Sequence, residues 1–361
     1  MAPVKNGRLI FNEIPTGYPE PGKATVYDDL QTIDLERAPL NGGLLVKTLV
    51  LSIDPYLRGR MRDPKISSYQ PAFTLGQPIA NFGVGVVLRS ESTAVKAGDH
   101  VYGILPFQEY TVFPKFDGLR IIANEEGIPW SVYVGVAGMP GQTAYYGWKE
   151  FADPQKGDVV FVSGGAGRLH MTIYSSHDTQ HEPHVGPVGA TVVQIAKAEG
   201  LKVIASAGSE EKVAFLKSIG ADVAFNYKTQ NTAEILAKEG PINIYWDNVG
   251  GSTLDAALNG AARGARFIEC GMITAYNGNP QPVNSLFQII GKQLKVFGLL
   301  VTVLSPKYND WFYETVPKVI ADGKIKYTED ITNGLQYAGH ALYDVQVGRN
   351  KGKSVIVVAQ E

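Results

Sequence analysis

Hydrophobic positions follow two rhythms along this chain. From Lys5 to Glu125 they come in short β-branched runs, Leu44 to Leu51, Gly83 to Leu88, His100 to Ile104 and Glu109 to Phe113, broken by Gly, Pro and Asn. Such runs predict strands of an irregular, mostly β domain. After Pro140 the pattern predicts strands alternating with helices: strand Asp158 to Ser163 (DVVFVS), helix Ala190 to Glu199, strand Lys202 to Ser206, helix Glu210 to Ile219 and strand Val223 to Phe225. The series goes on with helix Thr232 to Lys238, strand Ile242 to Trp246, helix Leu254 to Ala262 and strand Ala265 to Cys270. Five strands joined by right-handed helical crossovers predict a doubly wound parallel sheet. The tail, ending in a strand at Ser354 to Val358, resembles the first region again. The expected division is therefore 1–130 with 322–361 as one domain and 131–321 as the other, inserted into it.

Composition narrows this picture. With 361 residues, 44% of them hydrophobic, the chain exceeds a comfortable single core, and two domains are the natural expectation. A net charge of −2 without a basic stripe argues against a nucleic-acid partner. The apolar stretches, such as Val296 to Leu304, are too short to span a bilayer, and Met1 to Asn12 has no apolar signal core, so the cytosol is the expected location. Cys270 is the single cysteine, which excludes an intrachain disulfide and a multi-cysteine zinc site.

A glycine turn follows the strand DVVFVS. Gly164, Gly165, Ala166 and Gly167 come directly after it, and Gly186, Pro187, Val188 and Gly189 open the next helix. Joined, they make a strand, turn and helix start whose amides can meet a pyrophosphate. The next strand ends at Ala207, Gly208 and Ser209, with no carboxylate to take a ribose 2′-hydroxyl. Lys212 and Tyr227 follow instead, a cation and a phenol that could converge on a 2′-phosphate. NADPH is therefore the expected cofactor, with Ser209 among its contacts.

Between the two halves of that turn lies Arg168 to Val185 (RLHMTIYSSHDTQHEPHV), which is polar and holds four of the six histidines. His177, His181 and His184 have helical spacing, but Pro183 disfavours a continuous helix, and the reading is an exposed loop rather than a metal site. The insertion, 168–186, is long enough to be a translated intron, and it could displace the phosphate-binding amides.

Longer motifs point to a family. The stretches SIDPYLRGRM (Ser52 to Met61), GMPGQTAYYG (Gly138 to Gly147), GSEEKVAFLKSIGADVAFNYK (Gly208 to Lys228), YWDNVGG (Tyr245 to Gly251), ECGMITAYN (Glu269 to Asn277) and GRNKGKSVIVV (Gly348 to Val358) span nearly the whole chain. They resemble the zinc-independent medium-chain dehydrogenase/reductases that include leukotriene B4 dehydrogenase/15-oxoprostaglandin 13-reductase and the alkenal double bond reductases. The resemblance implies an α/β architecture, a GroES-like substrate domain plus a Rossmann cofactor domain, with the active site in the cleft between them, and a homodimer. It implies that Lys212 and Tyr227 contact the 2′-phosphate. Thr143, Asn248, Cys270, the segment Phe297 to Leu299, and Asn350 would join the cofactor site, most of them around the nicotinamide. Tyr276 matches the catalytic tyrosine and Tyr56 an aromatic beside the substrate.

The implied chemistry is NADPH-dependent reduction of the C=C bond of α,β-unsaturated aldehydes or ketones. Hydride addition at the β-carbon leaves an enolate whose oxygen needs a hydrogen-bond donor. A tyrosine near its reference pKa of about 10 is protonated at neutral pH and can supply one. No metal is expected. The competing readings are a zinc-free quinone oxidoreductase, against which DPYLRGRM and ITAYN argue, and an NADPH-binding protein weakened by the insertion.

Overall fold

The computed structural model describes residues 2–164, 186–278 and 280–361. Gly167 and the histidine-rich insertion lie outside these residues, except for Gly186. The described chain forms two compact units. One comprises Met1–Gly135, Glu329–Gln346 and Ser354–Glu361; the other comprises Val136–Thr328 and Val347–Lys353.

After four short strands at Val4–Lys5, Arg8–Phe11, Thr25–Asp28 and Thr32–Ile33, the first unit builds its main sheet from β1 (Leu44–Ser52), β2 (Ala80–Ser90), β3 (His100–Pro106), β4 (Tyr110–Phe113) and β5 (Leu119–Ile121). The second contributes α1 (Met139–Gly147), β6 (Val159–Val162), α2 (Pro187–Ala198), β7 (Lys202–Ala207), α3 (Glu210–Ser218), β8 (Val223–Asn226) and α4 (Thr232–Glu239). It continues through β9 (Ile242–Asp247), α5 (Gly251–Gly260), β10 (Ala261–Glu269), β11 (Lys295–Gly298) and α6 (Val301–Ala321). The chain then closes with β12 (Glu329–Asn333), α7 (Ala338–Val347) and β13 (Lys353–Val357).

In the first unit the strands form a seven-stranded sheet in the order β12-β13-β1-β2-β3-β5, with β4 also pairing β1. The C-terminal β13 runs antiparallel to β1, with Val355 opposite Ser52 and Val357 opposite Val50. The tail thereby returns to the first region, and Leu9, Phe11, Leu51, Ile53, Phe107, Leu342 and Ile356 pack into one core.

The second unit holds a parallel sheet in the order β8-β7-β6-β9-β10-β11. It has six strands where the hydrophobic pattern predicts five. The extra strand, β11, is at the edge and largely exposed, so it lacks the apolar run that marks a buried strand. The first strand, β6, reads VVFV and is buried in the middle of the sheet. From β6 the chain winds outward to β7 and β8, then crosses back to β9 on the other side. Such a switch point opens a crevice at the carboxyl ends of the strands, where ligands bind in open α/β sheets. Helix α2 starts earlier than the pattern predicts because Pro187 occupies its first turn, where a fixed φ and a missing N–H are tolerated.

Candidate functional site

At the carboxyl ends of the central strands a single register row runs across the sheet. Val162 aligns with Ala205 and with Trp246, and Asp247 with Glu269, so Ser206, Ser163, Asp247 and Glu269 follow one another on β7, β6, β9 and β10 or just beyond. These residues tie the strand ends together. Gly164 N–H donates to Ser206 Oγ (3.1 Å), and Ser163 Oγ donates to Asp247 Oδ1 (2.8 Å). Asp247 Oδ1 also accepts from Val249 N (2.8 Å) and Gly250 N (3.0 Å), which shapes the turn after β9. The backbone at Gly164 is left-handed (φ +43°), and a Cβ there would stand 2.1 Å from Val249 Cγ2, so only glycine fits.

Tyr276 hangs from that turn. Ile273 N donates to Asn248 O (3.3 Å), Thr274 N to Val249 O (3.3 Å) and Thr274 Oγ1 to the same oxygen (2.7 Å). Tyr276 closes the short helix Ile273–Ala275, and its hydroxyl comes close enough to Gly271 that a Cβ there would lie 3.2 Å from it. Asn248 is engaged within the turn, its amide donating to Ser163 O (2.9 Å) and accepting from Trp246 Nε1 (3.3 Å). Cys270 adjoins this turn through its own amide, which donates to Asp247 O (3.0 Å). Burial, and next the Asp247 charge, push its thiol up to about 12, so it stays protonated and is no nucleophile at neutral pH.

A second cluster lies at the end of β7. Ser209 caps α3, its Oγ accepting from Lys212 N (3.3 Å). Tyr227 folds back over the strand end: a Cβ on Gly208 would stand 2.7 Å from the Tyr227 hydroxyl and 3.2 Å from Lys228 Cε. Burial and the neighbouring Lys228 charge pull the Lys212 ammonium down to about 8, and burial also lowers Lys228. Lys212 Nζ donates to Gly348 O (3.4 Å), which brings the Gly348 loop, carrying Asn350, to the same place. Asn350 itself donates to Gly352 O (2.7 Å) within that loop. Two cations held close together, a phenol and a bare glycine backbone fit a phosphate monoester, which would relieve the repulsion between the lysines.

The remaining expected cofactor residues sit in the same unit. Helix α2 carries no side-chain N-cap among the described residues, so the amides of Val188 and Gly189 in its first turn, after Pro187, suit an anion. Thr143 is buried on α1, with its hydroxyl donating to Met139 O (2.8 Å). Phe297 stacks on Phe151 (4.9 Å between centroids), and Leu299 packs beside Gly147. Their side chains are therefore core, and it is the backbone of Phe297 to Leu299 that is left to line a site.

Within the first unit Tyr56 belongs to a buried polar network. Its hydroxyl donates to Asn81 Oδ1 (2.5 Å), and Asn81 Nδ2 donates to Ser52 O (2.8 Å) and Asp54 Oδ2 (2.9 Å). Burial, then the Asp54 charge, raise the phenol well above the ordinary tyrosine range. Arg60 lies 4.1 Å over the Phe73 ring.

This sheet order and these clusters can be set against known proteins. A family model described as "N-terminal domain of oxidoreductase" matches residues 8–121, and one described as "Zinc-binding dehydrogenase" matches 187–318. An NADP-dependent oxidoreductase, RED1, of Cochliobolus heterostrophus is 36% identical over 98% of this chain and 98% of its own length. The chain belongs to the zinc-independent medium-chain dehydrogenase/reductases. Another member, the NADP(+)-dependent 2-alkenal reductase of Nicotiana tabacum, is 38% identical over 99% of both chains. Among solved structures of the family, CurA from Vibrio vulnificus in complex with NADPH superposes with a TM-score of 0.84 at 29% identity, covering 98% of this chain and 100% of that one. Although the second family model is described as zinc-binding, among the described residues no group of three or more His, Cys, Asp and Glu side chains could hold a metal.

Sequence reading missed several participants. Lys228 stands in the quoted FNYK stretch, but its approach to Gly208 depends on how β8 returns to the sheet. Ser163, Ser206, Asp247 and Glu269 are scattered in sequence, and only the strand register aligns them. Asn81 gave no signal at all.

Proposed function

We propose that this protein is an NADPH-dependent reductase of the carbon–carbon double bond in α,β-unsaturated aldehydes and ketones. Gly164 and the first-turn amides of α2 would hold the pyrophosphate, and Lys212, Lys228 and Tyr227 the 2′-phosphate. The nicotinamide would lie near Cys270, Thr143, the Phe297 to Leu299 backbone and Asn350. Bound there, the cofactor supplies a hydride to the electrophilic β-carbon.

The observation that carries the reading is the Tyr276 hydroxyl, held beside Gly271 on a loop anchored to the carboxyl ends of the sheet. A neutral phenol in that position donates a hydrogen bond to the substrate carbonyl oxygen and strengthens it as enolate charge develops. Cys270, as a protonated thiol, adds no competing nucleophile. Tyr56 would meet the substrate with its ring, since its hydroxyl is engaged by Asn81. The relative named 2-alkenal reductase supports the substrate class.

The protein is also read as a cytosolic homodimer. The edge strand β11 is mostly exposed, and Phe287 (76%), Ile290 (73%) and Val303 (71%) leave apolar surface on the same unit. Among the described residues no helix is long and apolar enough to cross a membrane. A monomer in sedimentation velocity would refute the dimer. The substrate reading is tested with purified protein, NADPH and a panel of 2-alkenals, enones and quinones. Turnover of quinones without turnover of 2-alkenals or enones would sink it.

A further inference from the structure

Asp247 and Glu269 are register partners on the adjacent parallel strands β9 and β10. Their side chains therefore leave the same face of the sheet from backbones about 4.8 Å apart. The preceding pair on that face, Tyr245 and Phe267, meets edge to face at 5.2 Å. Asp247 is wholly buried, and its Oδ1 accepts the three hydrogen bonds that shape the Asn248 to Gly250 turn. Its Oδ2 and both carboxyl oxygens of Glu269 are shut off from solvent, and among the described residues no donor stands within hydrogen-bond distance of them; the Tyr245 hydroxyl, likewise without a close partner, faces Asp247.

Two buried acceptors side by side cannot both be ionised; one proton between them supplies the missing hydrogen bond. Asp247 already accepts three hydrogen bonds on Oδ1 whereas neither oxygen of Glu269 has a partner among the described residues, so the proton belongs to Glu269, which burial and the Asp247 charge also push up. Among the described residues no cation faces the pair to compensate a second charge. On β6 the facing group is Ser163, on β11 the register partner of Glu269 is Gly298, and the helices α4 and α5 present Leu236, Leu254, Ala257 and Leu258. Tyr245 and Cys270 are both pushed up by burial and stay neutral, and Tyr276 is the remaining titratable group of the adjoining loop.

We propose that Glu269 is a positioning residue, kept as a neutral acid, whose hydroxyl donates to Asp247 and so completes the anchor of the turn from which the Tyr276 loop hangs. Four backbone hydrogen bonds tie that loop to this anchor: Cys270 N and Gly271 N to Asp247 O, Ile273 N to Asn248 O, and Thr274 N to Val249 O. Ionisation of Glu269 would set two buried anions against each other and shift the phenol. The catalytic consequence rests on the role proposed for Tyr276; the protonation state does not.

The test is Glu269→Gln, which keeps a donor for Asp247 and cannot ionise. Glu269 is held protonated up to about pH 9 in the folded protein, while in the unfolded chain it ionises near its ordinary 4.5. The native state of the wild type therefore loses relative stability as pH rises from about 4.5 to about 9. In cofactor-free protein the Tm of Glu269→Gln minus that of the wild type should be near zero at pH 5 and widen by at least about 3 °C by pH 9. With saturating NADPH and enone, the wild-type kcat should fall near pH 9 and the Gln variant should not. Glu269→Leu, which leaves Oδ2 unpaired, should lower kcat about tenfold with less than twofold change in the KM for NADPH.

A Tm difference independent of pH overturns the proposal, as does a Glu269→Gln protein that fails to fold. So does an unchanged alkaline limb in that variant. If the wild type turns over no enone, the function fails, and the Tm series still decides the state of Glu269.

Discussion

Replacing Lys212 by alanine removes one of two ammonium groups at the end of β7 while leaving the α3 cap intact, because Ser209 accepts from the backbone N–H of residue 212. A charge-assisted hydrogen bond to phosphate contributes about 1.5–3 kcal/mol, which converts to roughly 10- to 150-fold in affinity. The Kd for NADPH, measured by fluorescence titration at pH 7, should rise by that factor. The Kd for NADH, which has no 2′-phosphate, should change less than about twofold. Native protein should prefer NADPH by at least about tenfold for the same reason.

The pH dependence has a definite sign. Lys212 in the cofactor-free protein ionises at about 8, lowered by burial and by Lys228, and a bound phosphate dianion raises it. Binding then takes up a proton whenever Lys212 starts neutral, so NADPH affinity falls as pH rises, by about tenfold between pH 7 and pH 9. NADH affinity should stay flat over this range through this group, and Lys212→Ala should flatten the NADPH curve. An unchanged ratio of the two cofactor affinities in Lys212→Ala at pH 7 would refute the assignment of this cluster to the 2′-phosphate.

Tyr276→Phe should lower kcat by about tenfold to a hundredfold with little change in NADPH binding, because other hydrogen-bond donors can share the enolate oxygen; a wild-type rate would remove the phenol from the mechanism. Dialysis against a strong chelator should leave activity intact, since Cys270 is the single cysteine and cannot build a zinc site of the Cys-rich kind; activity lost together with stoichiometric zinc would contradict this. Deleting Arg168 to Gly186 rejoins Gly167 to Pro187, restores the short turn, and should tighten NADPH binding about a hundredfold, the worth of two regained hydrogen bonds. Equal Kd values for the deleted and full-length proteins would show the insertion to be harmless.

What could be read from the sequence and what could not divide along a physical line. The central strands were legible because a strand buried on both faces must be a short continuous apolar run, and DVVFVS, KVIASA and INIYWD are such runs. Strand β11 escaped notice because at the sheet edge Lys295 and Val296 face solvent and need no such pattern. Helix α6 was hidden by Pro306 and Pro317, which argue locally against a helix that packing of Phe312, Val316 and Ile320 nonetheless holds together. Among candidate site residues, those in one contiguous motif could be named from the sequence, while pairs made by register could not. Lys212 and Tyr227 could be named from neighbouring stretches of one motif, but nothing in the order of residues tells that Lys228 reaches Gly208 or that Asp247 stands beside Glu269. That second pairing follows only from Trp246 aligning with Ile268, one step back along the same strands. A slip of one residue in either strand would send the two carboxyls to opposite faces, leave Glu269 to ionise alone, and remove the support on which the Tyr276 loop depends.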